Sequence, residues 1–343
     1  MSELVRRALA KVMAGGALAR AEARDAMGTV MDGQATPAQL AGLLIALRMR
    51  GETVDELTGF AEAMRQRVVP VRAPDGAVDT CGTGGDGAAT FNISTAAALV
   101  VAGAGVPVAK HGNRAVTSKS GSADVLEALG VPVDHGPDQA AAAIEEHGFA
   151  FLFAPGYHPA MRHAGAARRE LGVPTCFNLL GPLTNPAGVR RQVIGVADPT
   201  AAGQVARVLH ALGTERALVV HGDGVDELPL DGSGVMYDVS PLGIRRRRVV
   251  AARLGLRPAG REELAGGDAA HNASLIRAIL AGRDHGPRRE VVLLNAGAAL
   301  LAAGRVRTLA AGVQAAASAI DQGRAMGVLD RLAGAGTSPR SAA

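Results

Sequence analysis

The sequence predicts an α/β protein in which a small N-terminal helical domain precedes a larger domain with a largely parallel central sheet. Three observations carry this. Up to about residue 73, apolar residues recur only at helical spacing. From Ala77 onward, short β-like runs alternate with helical patterns, the signature of a parallel sheet with crossover helices. Of the 343 residues, 48% are hydrophobic and 20% charged, which suffices for a sizeable core and is too apolar for a disordered chain.

The elements follow in order. Helical spacing covers Val5–Met13, Arg20–Met31, Pro37–Met49 and Val54–Gln66. The third of these opens on Thr36-Pro37-Ala38-Gln39, with Thr as cap, Pro in the first turn and Gln placed to reach back. Pro70 and Pro74 close the block, so residues 1–73 form the helical domain, expected to serve in dimerisation through Leu9, Met13, Leu40, Leu43, Leu44 and Leu47. Strands are predicted at Ala77–Thr80, Val106–Ala109, Phe149–Phe153, Gln192–Val196 and Ala217–Val220. Helices between them are predicted at Ser94–Gly103, Ser122–Leu129, Pro137–His147 and Thr200–Leu212. Residues 162–186 interrupt the alternation and are expected to pack in part on the helical block. After Asp238 the signal weakens, and the Arg245–Arg248 run reads as a solvated face or a strand edge. Helices return at Asn272–Leu280, Arg288–Leu301 and Thr308–Gly323. The second domain is therefore 74–334, and 335–343 reads as a frayed tail.

Composition excludes several classes. The formal charge of +4 is spread thinly, unlike a nucleic-acid scaffold with basic residues gathered on one face. Cys81 and Cys176 cannot form a disulfide framework, so a reducing cytoplasm is expected. The N-terminus lacks a signal-peptide pattern, and the longest apolar run, Ala96 to Ala109, is too short for a bilayer, which takes about 20 residues. Glycine is abundant at 45 residues, from tight turns around ligands or from a GC-rich genome.

Three stretches carry chemistry. Asp79 to Gly87 follows a strand and precedes Asn92-Ile93-Ser94-Thr95, which opens a helix. Glycines let backbone N–H groups approach a phosphate, and a helix N-terminus adds positive potential. Gly82, Gly84 and Gly87 satisfy GxGxxG, but the next strand ends in Lys110-His111 and not in the acidic residue a dinucleotide ribose needs. A cation there suits a phosphate-rich ligand. The second stretch, Lys110 to Asp124, puts a lysine, the bifunctional Asn113 and a Ser/Gly run at a neighbouring strand end. The third, His221 to Glu227, carries adjacent carboxylates on a Gly-loosened loop; it is either an exposed acidic turn or a site for a hard cation such as Mg²⁺.

Together with Phe177-Asn178-Leu179-Leu180-Gly181-Pro182-Leu183-Thr184-Asn185-Pro186, these motifs resemble those of the anthranilate phosphoribosyltransferase family, from the helical N-terminus through Asn295-Ala296-Gly297-Ala298-Ala299 to about Leu332. The resemblance implies the two-domain plan shared by nucleoside phosphorylases and such phosphoribosyltransferases, and a homodimer. It implies transfer of the 5-phosphoribosyl group of phosphoribosyl pyrophosphate to the amine of anthranilate, in tryptophan biosynthesis, with Mg²⁺ as two ions. Carried over position by position, Gly82, Gly85, Asp86, Thr90, Asn92, Ile93, Ser94 and Thr95 hold phosphoribosyl pyrophosphate. Lys110, His111, Gly112, Asn113, Arg114, Ala115, Val116, Thr117, Ser118 and Ser122 complete that set. Ser94, Asp226 and Glu227 bind the metal; Gly82, Asn113, His158 and Arg168 serve anthranilate. Thr117 stands where many members have Ser, and the acidic loop is short.

Lys110 and His111 are the candidate catalytic residues. His111 is the candidate general base, or a histidine that only orients the substrate. The alternative readings are a pyrimidine nucleoside phosphorylase and a non-catalytic nucleic-acid-binding relative of the fold; the latter would need an aromatic groove, against 2% aromatics. No nucleic-acid or membrane partner is expected.

Overall fold

The computed structural model describes residues 2–84, 87–115 and 119–337. Its first four helices are α1 (Glu3–Met13), α2 (Arg20–Met31), α3 (Pro37–Arg50) and α4 (Val54–Arg65). The Thr36 cap forms as expected: Thr36 Oγ1 accepts from the Gln39 N–H at 3.2 Å and Gln39 Oε1 accepts from the Thr36 N–H at 3.1 Å. A second such box, Thr53 with Glu56, starts α4.

The rest of the chain runs β1 (Val78–Gly82), α5 (Ile93–Gly103), β2 (Val108–Gly112), α6 (Ser122–Ala128), α7 (Pro137–His147) and β3 (Phe149–Phe153). It continues with the short α8 (Ala154–Tyr157), α9 (Arg162–Leu171), the short α10 (Phe177–Leu180), β4 (Arg191–Gly195), α11 (Pro199–Ala211) and β5 (Arg216–His221). The hairpin β6 (Gly234–Ser240) and β7 (Gly243–Val249) follows, then α12 (Ala269–Leu280), α13 (Pro287–Ala302), α14 (Leu309–Asp321) and α15 (Arg324–Thr337).

The sheet order is β3-β2-β1-β4-β5-β6-β7. The first five strands pair in parallel and the last two antiparallel. The chain winds outward from β1 to β3, then returns beside β1 as β4 and winds the other way. The point of reversal, at the carboxyl ends of β1 and β4, is where open α/β sheets bind ligands.

Strand parity sorts the core. Val78, Val108, Phe149, Phe151, Val193, Leu218 and Val220 face one side, onto α5, α6 and α12 to α15. Ile194, Ala217 and Val219 face the other, in one apolar cluster with α1 to α4, α9, α10 and α11. Ala109, Ala150 and Leu152 join a smaller cluster under α7. The segment bearing α9 and α10 thus shares its apolar core with the N-terminal helices, through Ala164, Ala167, Phe177, Leu180 and Leu183.

Three expectations need correction. Leu40, Leu43, Leu44 and Leu47 leave no apolar surface for a second subunit, because the bundle buries each of them to 2% exposure or less. Met13 and Met49 stay exposed. The Arg245–Arg248 run lies on a strand edge, as expected: it sits on the outer strand of an antiparallel hairpin and is exposed on both faces. The β1 and β2 runs start and end later than their apolar residues suggest: Pro107 lacks the donor a ladder needs, and both strands run on into Gly82 and Gly112. The final helix reaches Thr337, past the expected tail boundary at 335, on buried Val328, Leu329 and Leu332; residues 338–343 lie outside the described residues.

Candidate active site

Gly82 and Gly195 are register partners at the ends of β1 and β4. A Cβ on Gly82 would lie 2.1 Å from Asp226 Oδ2, and one on Gly195 would lie 1.6 Å from the Asp226 carbonyl oxygen. Only glycine at both ends leaves room for the acidic loop to lie across the strands. A tight turn brings the loop there. The Gly222 N–H donates to the Val225 carbonyl at 3.0 Å and the Val225 N–H to that of Gly222 at 2.8 Å, with Asp223 and Gly224 at φ of 43° and 83°. Asp226 Oδ2 then accepts from the Gly84 N–H at 2.9 Å. Glu227 lines a small pocket with Thr80, Cys81, Ser94, Gly195 and Asn295. Of the sequence-predicted metal residues, Glu227 and Ser94 thus border one pocket, while the Asp226 carboxylate lies over Gly82 and Gly84; all three offer oxygen donors of the kind a hard cation takes.

Lys110 stands beside this pocket and is 1% exposed. Its ammonium donates to the Thr80 carbonyl and lies 3.4 Å from Ser94 Oγ. Burial draws its pKa down, while Asp79, Cys81, Glu227 and Asp226 hold it up. Asp79 is fully buried; Oδ1 accepts from the His111 N–H at 3.1 Å and Oδ2 from Asn185 Nδ2 at 2.8 Å. Burial raises the Asp79 pKa against the opposing pull of Lys110 and these donors.

His111 follows Lys110 on β2 and so faces the other side of the sheet. Its Nε2 lies 3.2 Å from His158 Nε2, so one ring donates and the other accepts. Burial pushes His111 down to about 3 and His158 down to about 4, with His158 itself adding to the depression of His111. The backbone of Gly181 engages His111 and that of Thr184 engages His158. Arg168, on α9, is half-buried with its guanidinium 5.0 Å from the Phe177 ring centre, a cation–π contact. Among the described residues no carboxylate pairs with it. Arg169 is exposed. Residues 177–184 thus touch His111, His158 and Arg168 alike. Asn113 is exposed, its Oδ1 accepting from the Arg114 N–H at 2.8 Å.

The remaining predicted residues divide. Ile93 and Thr95 are buried in the core, so at the start of α5 they can offer a ligand only backbone groups; among the described residues Thr95 Oγ1 has no hydrogen-bond partner. Asn92 is tied to Ser120 and Asn272. Thr90 is half-buried and bridges to Ala265. Arg114 is held on the protein by Glu127 and Asp124 and lies over Phe153, and the Ala115 N–H donates to Asp124 at 2.9 Å. Gly112 lies close to Ser122, the first residue of α6. Gly85, Asp86, Val116, Thr117 and Ser118 lie outside the described residues.

Sequence reasoning assigned no role to Asp79, Asn185 or Asn295, although each lies in one of the motifs above, and missed Gly195 altogether. Asn185 lay inside a quoted motif, but nothing local signalled that its amide bridges Asp79 and the Ala109 carbonyl. Gly195 could have been found as a glycine closing a buried parallel strand.

Comparison with known proteins agrees with this geometry. A model of the glycosyl transferase family helical bundle domain matches residues 6–68, and one of the family's a/b domain matches 74–326. Anthranilate phosphoribosyltransferases of Moorella thermoacetica and Chelativorans sp. (strain BNC1) are 53% and 50% identical, each over 94% of this chain and 96% of the relative. The crystal structure of the Thermus thermophilus enzyme of that name is 46% identical, with TM-score 0.91 over 95% of this chain and 98% of the other. The Saccharomyces cerevisiae enzyme, in complex with PRPP and Mg, is 26% identical with TM-score 0.89, over 98% of this chain and 99% of the other. With half its residues identical over nearly its whole length, this chain belongs to the anthranilate phosphoribosyltransferase family.

Proposed function

We propose that the chain performs its family's reaction across the carboxyl ends of β1, β2 and β4, with the two substrates divided by the face of β2. The reaction transfers the 5-phosphoribosyl group of phosphoribosyl pyrophosphate to the anthranilate amine, in tryptophan biosynthesis. The C1′–O bond to pyrophosphate breaks, a C1′–N bond forms, and the amine's extra proton passes to the departing pyrophosphate or to water. The seating of Asp226 on Gly82 and Gly195 carries the reading, because it puts an oxygen-donor set at the switch point of the sheet.

Asp226, Glu227 and Ser94 are assigned to Mg²⁺, as two ions, and their all-oxygen chemistry fits that ion. When bound, the metal neutralises charge on the departing pyrophosphate. The Gly82–Gly84 backbone, the start of α5 and the predicted residues up to Ser122 are assigned to phosphoribosyl pyrophosphate. Lys110 serves there as a fixed charge, its ammonium held by Thr80 and Ser94. C1′ acquires oxocarbenium character as in other glycosyl transfers.

Anthranilate is assigned to the other face, with Arg168 on its carboxylate and Gly82, Asn113 and His158 around the ring and amine. A planar guanidinium matches a carboxylate in two parallel hydrogen bonds. The aromatic amine is neutral at pH 7 and needs little activation, so alignment of the substrates can supply much of the rate, on the order of 7–11 kcal/mol for well-oriented pairs. The depressed proton affinity of His111 and its bond to His158 support the orienting role over that of general base. We assign the enzyme to the cytoplasm, in keeping with two buried free thiols, and to a homodimer formed through the N-terminal helices, where Met13 and Met49 are exposed.

The test mixes protein, Mg²⁺, phosphoribosyl pyrophosphate and anthranilate and follows anthranilate fluorescence, against a background free of tryptophan. Loss of fluorescence only with all components is expected. No loss, together with phosphate-dependent cleavage of a pyrimidine nucleoside, would overturn the reading.

A further inference from the structure

Asn295 lies on α13, 67 residues beyond Leu228 at the end of the acidic loop, and is 3% exposed. Its Oδ1 accepts from the Leu228 N–H at 2.9 Å, and its Nδ2 donates to the Leu228 carbonyl at 3.1 Å and to the Val291 carbonyl at 3.0 Å. One amide thus satisfies both backbone groups of the residue that follows Glu227, and is itself anchored to the turn of helix beneath it. The Leu228 side chain is fully buried in the same core as α13. On the other side, the backbone of Asp226 lies against Gly195 with no room for a Cβ between them. The two carboxylates therefore sit on a dipeptide gripped at both ends, by a strand terminus before it and by a helix after it. Glu227 and Asn295 line the same small pocket.

We propose that Asn295 is a positioning residue that sets where the Asp226 and Glu227 carboxylates stand, and so the affinity of the metal site, without touching metal or substrate. The inference rests on the assignment of those carboxylates to Mg²⁺. An amide suits the task because it presents a donor and an acceptor side by side, matching the carbonyl and N–H of one extended residue. Leucine or alanine would leave the Leu228 groups buried and unpaired, and the loop would shift to find other partners.

Two measurements test this on the full-length enzyme: the Mg²⁺ activation constant, and amide hydrogen exchange across residues 222–230 without metal. The Asn295→Ala variant is compared with wild type and with Leu301→Ala, a core truncation on the same helix away from the loop. Faster exchange across 222–230 in Asn295→Ala but not in Leu301→Ala is expected. A 10- to 100-fold rise in the Mg²⁺ activation constant, with the anthranilate KM unmoved, is also expected, the range typical for residues that orient metal ligands. If exchange and Mg²⁺ dependence both match those of Leu301→Ala, or if exchange quickens while Mg²⁺ dependence stays at the wild-type value, the proposal is wrong. If wild type itself needs no divalent cation, the metal assignment fails, while the exchange arm still decides whether Asn295 holds the loop. Should Asn295→Ala not fold, Asn295→Asp keeps the size and the acceptor but loses the donor, and the same readouts apply.

Discussion

The Gly82–Gly195–Asp226 end of the site and the His111–His158–Arg168 end are made from different material. The first is backbone against backbone: two glycines at strand termini, a loop folded over them, and buried charges held by carbonyls and neighbouring carboxylates. The second is side chain against side chain, with two neutral imidazoles in contact and an arginine lying over a phenyl ring on an excursion between β3 and β4. The first tolerates almost no added atom. The second is built from groups that can be exchanged one at a time. Substitutions at the first end should therefore remove turnover, whereas those at the second should trade one kinetic constant against another.

The most damaging change is at the carboxylates. Asp226→Asn with Glu227→Gln should lower kcat by at least about 10²–10³-fold while circular dichroism stays native, because charge at the leaving group loses its counterweight. Undiminished turnover in excess chelator would undo the contrast. Next comes the glycine seat. Gly195→Ala places a methyl 1.6 Å from the Asp226 carbonyl oxygen and should cost about 1–3 kcal/mol in urea unfolding, with activity falling alongside. Gly181→Ala, at the other end and with nothing within 4 Å of a new Cβ, should leave stability unchanged.

Arg168→Ala should raise the anthranilate KM more than it lowers kcat, by roughly 2–3 kcal/mol in kcat/KM, with phosphoribosyl pyrophosphate affinity barely altered. Arg169→Ala should be nearly silent, and steady-state kinetics on the pair would expose a mistaken assignment. The histidine pair yields a pH signature. Both rings have folded pKa values below the ordinary 6.5, so the unfolded chain takes up protons first as the pH falls. Their contribution is whole above about pH 6.5 and is lost progressively toward pH 4 and 3. Asp79, raised by burial, acts in the opposite sense. Between pH 7 and 5 the pair should cost up to about 1–2 kcal/mol per ring, and His158→Gln should flatten the dependence of the urea midpoint. Smallest of all, Arg246→Ala and Arg248→Ala on the exposed edge strand should shift stability by no more than about 0.5 kcal/mol.

What could be read from the sequence follows the same division. Helices and inner strands were legible because burial on one or both faces writes a period into the chain; α2, α7 and β3 match the expected spans to the residue. The Gly-rich, Lys110 and Asp226–Glu227 motifs were legible because the function proposed for them demands particular residue types in a row. The edge hairpin was legible only as a basic run on a solvated face or strand edge, since four exposed arginines carry no period. The partners that hold the site were not, since Asp79, Asn185 and Asn295 act across 32, 106 and 67 positions, and nothing local marks such a bond. The dimer argument failed on the leucines for a related reason: apolar residues do not say which neighbour will cover them, and here helices of the same chain do, α1 and α9 foremost.

The placement of Lys110 and His111 back to back on one strand has a consequence for how such an enzyme can diverge. Consecutive positions on β2 face opposite sides of the sheet, so a change in the acceptor pocket proposed on the His111 side would fall against His158 and the Gly181 backbone and not against the Ser94 end of α5. Descent with a new nucleophile would then need no revision of the phosphate machinery. A single-residue insertion before Lys110 would do the reverse, turning each residue toward the other's neighbours and erasing both sites in one event. Under the proposed assignment, substitutions on the His111 side would alter the acceptor pocket alone, whereas an indel at this strand would also displace Lys110.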